Sequence, residues 1–208
     1  MVARSFSGYL LPRLITVITL VALSACTEGA TSSSLAASQN DFANERYPIQ
    51  IVNRNKFDKR FWPSIVETPF DMAPGTVVVD TRNRLLYLIE EGGKSRRYGI
   101  AVGAAGKSWT GTARVGRKAQ WPEWYPTDEM RSITPGLPAR IASGPQNPLG
   151  ARALYLFQNG RDTLYRIHGT SEPWTIGTEV SSGCIRMIDE DVIDLYDRVP
   201  KGARVVVL

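Results

Sequence analysis

The chain has little of what most hydrolytic and metal chemistry uses: among 208 residues there are one histidine and two cysteines. Zinc sites need clusters of Cys and His at fixed spacing. With no C-x-x-C, no second histidine and no H-E-x-x-H, almost no material remains for a zinc site. Two cysteines are too few for a disulfide framework. Apolar residues are not short. At 43% hydrophobic and 22% charged the composition is ordinary, which excludes disorder as the main state. The length fits one domain with an appendage. Any step that needs an imidazole has only His168 to use.

Acidic residues are missing altogether from residues 1–25, which carry Arg4 and Arg13 and run into the apolar stretch Leu14–Leu23. A basic start and an apolar run of this length read as a secretory signal peptide, too short to be a comfortable membrane span. The run ends in Leu23-Ser24-Ala25-Cys26, which resembles the lipobox of bacterial lipoproteins. That resemblance implies cleavage before Cys26, acylation of its thiol and anchoring to a membrane in the periplasm. Thr27 after the cysteine resembles the outer-membrane sorting pattern. Without residues 1–25 the net charge falls from +5 to +3. The basic residues are scattered, so no nucleic-acid partner is expected.

Residues 26–74 divide into a Ser/Ala/Thr-rich tether, Thr27–Asn44, and an arm carrying Phe57, Phe61, Trp62, Val66 and Phe70. The arm is expected to pack its aromatics on a domain that spans 75–208. From Gly75 onward short β-type runs appear: Thr76–Asp80, Leu85–Ile89, Arg97–Val102, Ala153–Phe157 and Thr163–His168. Asn159-Gly160 between the last two is a hairpin signal. Ile188, Val192, Leu195, Tyr196 and Val199 recur at helical spacing, with Asp189, Glu190 and Asp191 suiting the N-terminal dipole. Arg204–Leu208 reads as a closing strand. The fold class is therefore mostly β, a sandwich or barrel with one short C-terminal helix. Gly103–Gly150 holds six of the thirteen prolines and three tryptophans, and reads as a long irregular groove wall.

Cys184 needs an explanation, because a thiol left over in an oxidising compartment is either paired between chains or reactive. A buried inert cysteine is the plainer alternative. The context favours reactivity. Ser181-Ser182-Gly183 makes a turn before Cys184, and Gly183 permits close backbone approach by a substrate. The Cys184 amide could then face a developing oxyanion. Arg186 would favour the thiolate, and His168 could take its proton.

Ile167-His168-Gly169-Thr170 followed by Ser181-Ser182-Gly183-Cys184-Ile185-Arg186-Met187 resembles the signature of L,D-transpeptidases of the YkuD type. The likeness extends over Gly75–Leu208 and includes Trp109-Thr110-Gly111-Thr112, Trp121-Pro122 and Asn147–Arg152. Many relatives have histidine where Ser182 stands. The resemblance implies a β-rich catalytic domain with a short helix after the cysteine loop, acting on peptidoglycan stem peptides. Cys184 would attack the diamino-acid carbonyl of a donor tetrapeptide and release D-Ala. The acyl group would pass to an amine of another stem, or to a lysine of an envelope lipoprotein. It further implies that the carbonyl of Gly169 orients His168 and that amides near Gly183 and Cys184 form the oxyanion hole. Arg186 would hold the loop or a substrate carboxylate. The family needs no metal or cofactor, and carbapenems acylate its cysteine. Hydrolysis of the same stems and a non-catalytic wall-binding lipoprotein remain open alternatives.

Overall fold

The apolar runs become strands, and the two faces of those strands face different neighbours. A computed structural model describes residues 1–3, 37–104, 109–181 and 183–208. The chain divides into two units, Met1–Thr31 and Ser32–Leu208, and every strand and helix among the described residues belongs to the second. The expected signal peptide, Cys26 and Ser182 lie outside the described residues. Among the described residues no helix is long and apolar enough to cross a membrane.

In chain order the elements are β1 (Ser64–Glu67), β2 (Val77–Asp80), β3 (Leu85–Ile89), β4 (Lys94–Gly99), β5 (Val102–Gly103) and β6 (Gly111–Gln120). There follow α1 (Asp128–Ile133), β7 (Arg152–Gln158), β8 (Arg161–His168), β9 (Glu179–Ser181), β10 (Ile185–Arg186), α2 (Asp189–Arg198) and β11 (Arg204–Val207). Among the described residues nine strands form one mixed sheet in the order β1-β4-β3-β2-β11-β6-β7-β8-β10, and β5 pairs with β9. Two pairings, β2 with β11 and β8 with β10, are parallel within the large sheet. The sheet curls. Ala101, just past β4, exchanges backbone hydrogen bonds of 2.9 Å in both directions with Arg186 on the far edge strand. The architecture is thus mostly β: one curled nine-stranded sheet, the β5–β9 pair and short helices.

Period-two alternation sorts the central strands. Val77, Val79, Leu86 and Leu88 point into a core shared with Leu154, Leu156, Ile167, Met187, Val192, Leu195 and Val199. Val78, Leu85, Tyr87 and Ile89 point the other way, where Phe61 covers them together with Val52, Phe57, Val66, Phe70 and Met72 of the arm. β3 is therefore buried on both faces, which is why Leu-Leu-Tyr-Leu-Ile is an unbroken apolar run. Phe61 fits because two glycines make room. A Cβ on Gly99 would lie 2.5 Å from the Phe61 Cβ, and one on Gly177 2.5 Å from its ring. Burying such a ring contributes about 1.5–3 kcal/mol.

Polar contacts fix the arm's register. Val52 N–H donates to Glu190 Oε1 at 2.8 Å, and Arg54 makes a two-pronged bond to Asp191 at 2.7 and 2.8 Å. Burial works against the Arg54 charge, but Asp191 and then Glu190 outweigh it and raise its pKa. Glu45 accepts from Trp121 Nε1 at 2.8 Å and pairs with Arg152.

Two segments differ from the sequence reading. Phe42 ends a one-turn helix, Gln39–Phe42, and is 8% exposed, packing near Ile49, Trp121 and Ile193. Packing thus begins inside the segment read as tether, because one aromatic among small polar residues gives no periodicity to detect. Gly103–Gly150 contains the ten-residue β6 and a second short helix, α1. β6 escapes detection because only Ala113 and Val115 among its side chains are buried apolar groups. Its Gly116 sits at a register shift, where a Cβ would collide with the Phe157 ring. The Asn159-Gly160 turn, at φ 52° and 76°, is the left-handed pair that the hairpin needs.

Removing Arg54 leaves Asp191, with a side chain 4% exposed, buried without its cation. Arg54→Ala is expected to cost about 3 kcal/mol or more of stability, measured as a lowered midpoint in urea unfolding. A loss under about 1 kcal/mol, the scale of a surface pair, would show that the ion pair does not hold the arm.

Candidate active site

The two-residue strand β10 decides where the thiol stands. It runs parallel to the end of β8, with Ile185 opposite Ile167 and Arg186 opposite His168. Both isoleucines are buried in the core at 3% and 0% exposure, so their neighbours face the other side of the sheet. Extending the register by one position sets Cys184 beside Arg166 and diagonal to His168 on that face. The diagonal is a spacing long and aromatic side chains can bridge. Met187 N–H donates to His168 O at 2.8 Å and closes the pairing beyond the strand. Gly183, at φ 127°, makes the entry turn in a conformation that side chains disfavour.

His168 is 4% exposed. Its Nδ1 lies 2.6 Å from Gly169 O, which can only accept, so Nδ1 carries the proton and Nε2 the lone pair. Burial, opposed by the Gly169 hydrogen bond and reinforced by Arg186 and Arg166, lowers the His168 pKa to about 4. The ring is therefore neutral at neutral pH, with Nε2 unprotonated. Cys184 is half-buried, with Sγ 3.9 Å from Leu164 O. Burial pushes its thiol pKa up, although the backbone N–H and charge of Arg166 and the charge of Arg186 pull the other way. Arg186 thus acts in the expected direction without deciding the outcome. The resting pair is a thiol and a neutral imidazole. Arg186 also pairs with Glu172 at 2.9 Å, which ties its strand to the loop after His168.

Two cavities flank the sulfur. One, of about 470 Å³, is lined by Arg117, Trp124, Tyr125, Met130, Tyr155, Arg166 and Cys184 among others. The other, of about 340 Å³, is lined by Glu129, Ile133, Tyr165, Gly183 and Cys184. Leu164, Thr127 and Met130 border both, so α1 and one leucine divide them. Leu164 is 66% exposed and adopts φ 64°, a left-handed conformation that costs of order 1 kcal/mol or more for a side chain of this kind. Asp162 supports the kink by accepting from Leu164 N–H at 2.9 Å and from Arg166 at 2.8 and 3.0 Å. Arg117 and Arg166 both stack on Tyr155, at 3.4 and 4.4 Å from the ring centroid. The larger cavity is thus cationic on one wall and aromatic on another.

The structure brings together His168, Gly169, Gly183, Cys184 and Arg186. The sequence reading passed over Arg166, Arg117 and Tyr155. Arg166 was findable, since it lies two residues before His168 on one strand and so shares its face. Arg117 and Tyr155 join only through the pairing of β6 with β7.

Residues 74–207 match the YkuD family, the L,D-transpeptidase catalytic domain. The chain is 36% identical over 154 residues to the "Probable L,D-transpeptidase ErfK/SrfK" of Escherichia coli K12, covering 70% of this chain and 47% of that protein. To the "Probable L,D-transpeptidase YbiS" of the same organism it is 37% identical over 151 residues, covering 69% and 47%. It spans about half the length of these curated relatives. A crystal structure from Brucella melitensis, described as a "Probable carnitine operon oxidoreductase caia", is 49% identical with a TM-score of 0.51. That alignment covers 75% of this chain and 99% of the Brucella chain, and the redox name is that protein's own. With a match that takes in every element from β2 to β11, the chain belongs to the YkuD family, and residues 74–207 are its L,D-transpeptidase catalytic domain.

Proposed function

We propose that the chain is a peptidoglycan L,D-transpeptidase in which Cys184 is the nucleophile and His168 the general base. The observation that supports this reading is the β8–β10 register, under which Cys184 and His168 occupy diagonal positions on one sheet face, with Cys184 lining both cavities. His168 Nε2 takes the Sγ proton as sulfur attacks the carbonyl carbon of the diamino acid in a donor tetrapeptide. The oxyanion that forms is stabilised by backbone N–H groups at Gly183 and Cys184. When it collapses, the C–N bond to D-Ala breaks and His168 returns the proton to the leaving amine. A thioester on Cys184 remains. An acceptor amine, deprotonated by His168, then attacks that carbonyl, the C–S bond breaks and the thiol is restored.

Two arginines stand at the larger cavity beside Glu123, whereas Glu129 is the charged residue lining the smaller one. Arg117 and Arg166 suit the carboxylates of a donor stem, and Tyr155, Trp124 and Tyr125 offer aromatic walls. Glu129 at the smaller cavity suits an incoming amine. The acceptor is a second stem, giving a 3→3 crosslink, or a lysine of an envelope lipoprotein. Acylation of Cys26 would keep the enzyme in the periplasm on a membrane facing the wall. Two anchoring signals or more hold a protein stably, since each buried methylene contributes about 0.8 kcal/mol. Water in place of the amine would make the same site a carboxypeptidase. Muropeptide masses after incubation with tetrapeptide-rich sacculi separate the outcomes, because crosslinked dimers require the amine.

The folded protein is expected to gain the mass of one carbapenem, and Cys184→Ala to gain none; a folded wild type with no adduct overturns the reading. His168→Ala is expected to acylate roughly 10²-fold more slowly or worse, and a rate within about twofold would remove it as the base.

The burial of His168 also fixes where its ring titrates. Because its pKa is lowered to about 4, the base form persists as pH falls through 6.5 and is lost only near pH 4. The ring is therefore expected to stay unprotonated between pH 7.5 and 5.5, read from its ¹⁵N shifts across that range. An inflection at the ordinary histidine value of about 6.5 would contradict the buried, neutral ring.

A further inference from the structure

Asp189 opens α2 five residues beyond Cys184, at the head of an acidic triplet. Its neighbours Glu190 and Asp191 hold the arm. Asp189 does something else. Its carboxylate accepts from the backbone N–H of Ala151 at 2.9 Å and from the backbone N–H of Thr170. Two glycines make the approach possible, since a Cβ on Gly150 or on Gly169 would collide with Asp189 Oδ1. Burial raises the Asp189 pKa to about 6, so the group is still ionised at neutral pH.

The Thr170 N–H and the Gly169 carbonyl belong to the same peptide group. In a trans peptide they point in opposite directions. Asp189 stands at the N–H end, and His168 Nδ1 stands 2.6 Å from the oxygen at the other. An anion at the N–H end polarises the amide and makes its oxygen a stronger acceptor, as hydrogen bonds in a chain reinforce one another. That oxygen matters. Burial, Arg186 and Arg166 all disfavour positive charge on the ring, and the Gly169 hydrogen bond is the contact that favours it. The rest of the turn is held as well, by Gly169 N–H to Arg152 O at 3.0 Å and Gly150 N–H to Asn147 O at 2.9 Å.

We propose that Asp189 is a positioning residue that acts on His168 through the Gly169–Thr170 peptide, fixing the Nδ1–H tautomer and supporting the charge the ring gains during proton transfer. The rate consequence rests on His168 being the general base, whereas the tautomer does not. With one histidine in the chain, its two ring nitrogens are unambiguous in a ¹⁵N spectrum. The test compares wild type, Asp189→Ala and Asp189→Asn as full chains, by ring ¹⁵N shifts at pH 7 and by carbapenem acylation rate. Wild type is expected to show the Nδ1–H pattern alone. Asp189→Ala should give shifts averaged over both tautomers and acylate about tenfold more slowly or worse, the scale of losing a histidine's orienting partner. Asp189→Asn, similar in shape but uncharged, should move both readouts in the same direction, and it alone decides if the alanine variant does not fold.

Wild-type ring shifts in the variants overturn the proposal. Altered shifts with a rate within about twofold of wild type overturn its catalytic part. A wild type that is never acylated, while its ring shifts still respond to Asp189, refutes the acyltransferase reading and leaves the positioning role standing.

Discussion

Four backbone groups of Ile185 and Arg186 carry the site. One edge of this two-residue strand pairs with β8, and its other edge meets Ala101, so the cysteine turn is held from both sides. Slipping the β10 register by one residue would turn Cys184 and Arg186 into the core and bring Ile185 out to the cavities. The buried contacts of Ile167, Ile185 and Met187 therefore specify the chemistry as firmly as any polar contact does. Packing chooses the register, and the register chooses which side chains meet.

Electrostatics then sets how the pair works. Two arginines near the imidazole and little water around it keep His168 neutral, the form that can accept a proton. The same burial keeps the thiol protonated, so the nucleophile is made only when the transfer occurs. This differs from a resting thiolate–imidazolium pair, which needs a site that favours both charges. A thiol kept protonated also gains from being unreactive between turnovers, because oxidation follows thiolate character.

Much of this was legible in the chain. The apolar runs from Val77 to Ile89 and from Leu154 to Ile167 are local signals, as are Asn159-Gly160 and the helical spacing of α2. Cys184 and His168 stand out because the chain has so few residues of their kinds. What stayed hidden needed pairing partners distant in sequence. β6 alternates small and charged residues, and only the neighbours β7 and β11 make it a strand. Asp189 belongs to a triplet that looks like ordinary dipole compensation, and its neighbours 38 and 19 positions back, Ala151 and Thr170, give it a different task. The Arg117–Tyr155–Arg166 stack joins three strands and has no signature on any one of them.

The arm alters what counts as the unit of folding. The family model's match begins at residue 74, yet Val78, Leu85, Tyr87 and Ile89 are covered from outside that boundary by Phe57, Phe61 and Phe70. A fragment cut where the likeness starts would present a β-branched and aromatic sheet face to water, the kind of surface that drives sheets to stack on one another. The segment that the family model matches and the segment that closes this core are therefore different lengths of chain, and the difference is set by one wedge of aromatic side chains rather than by the catalytic machinery.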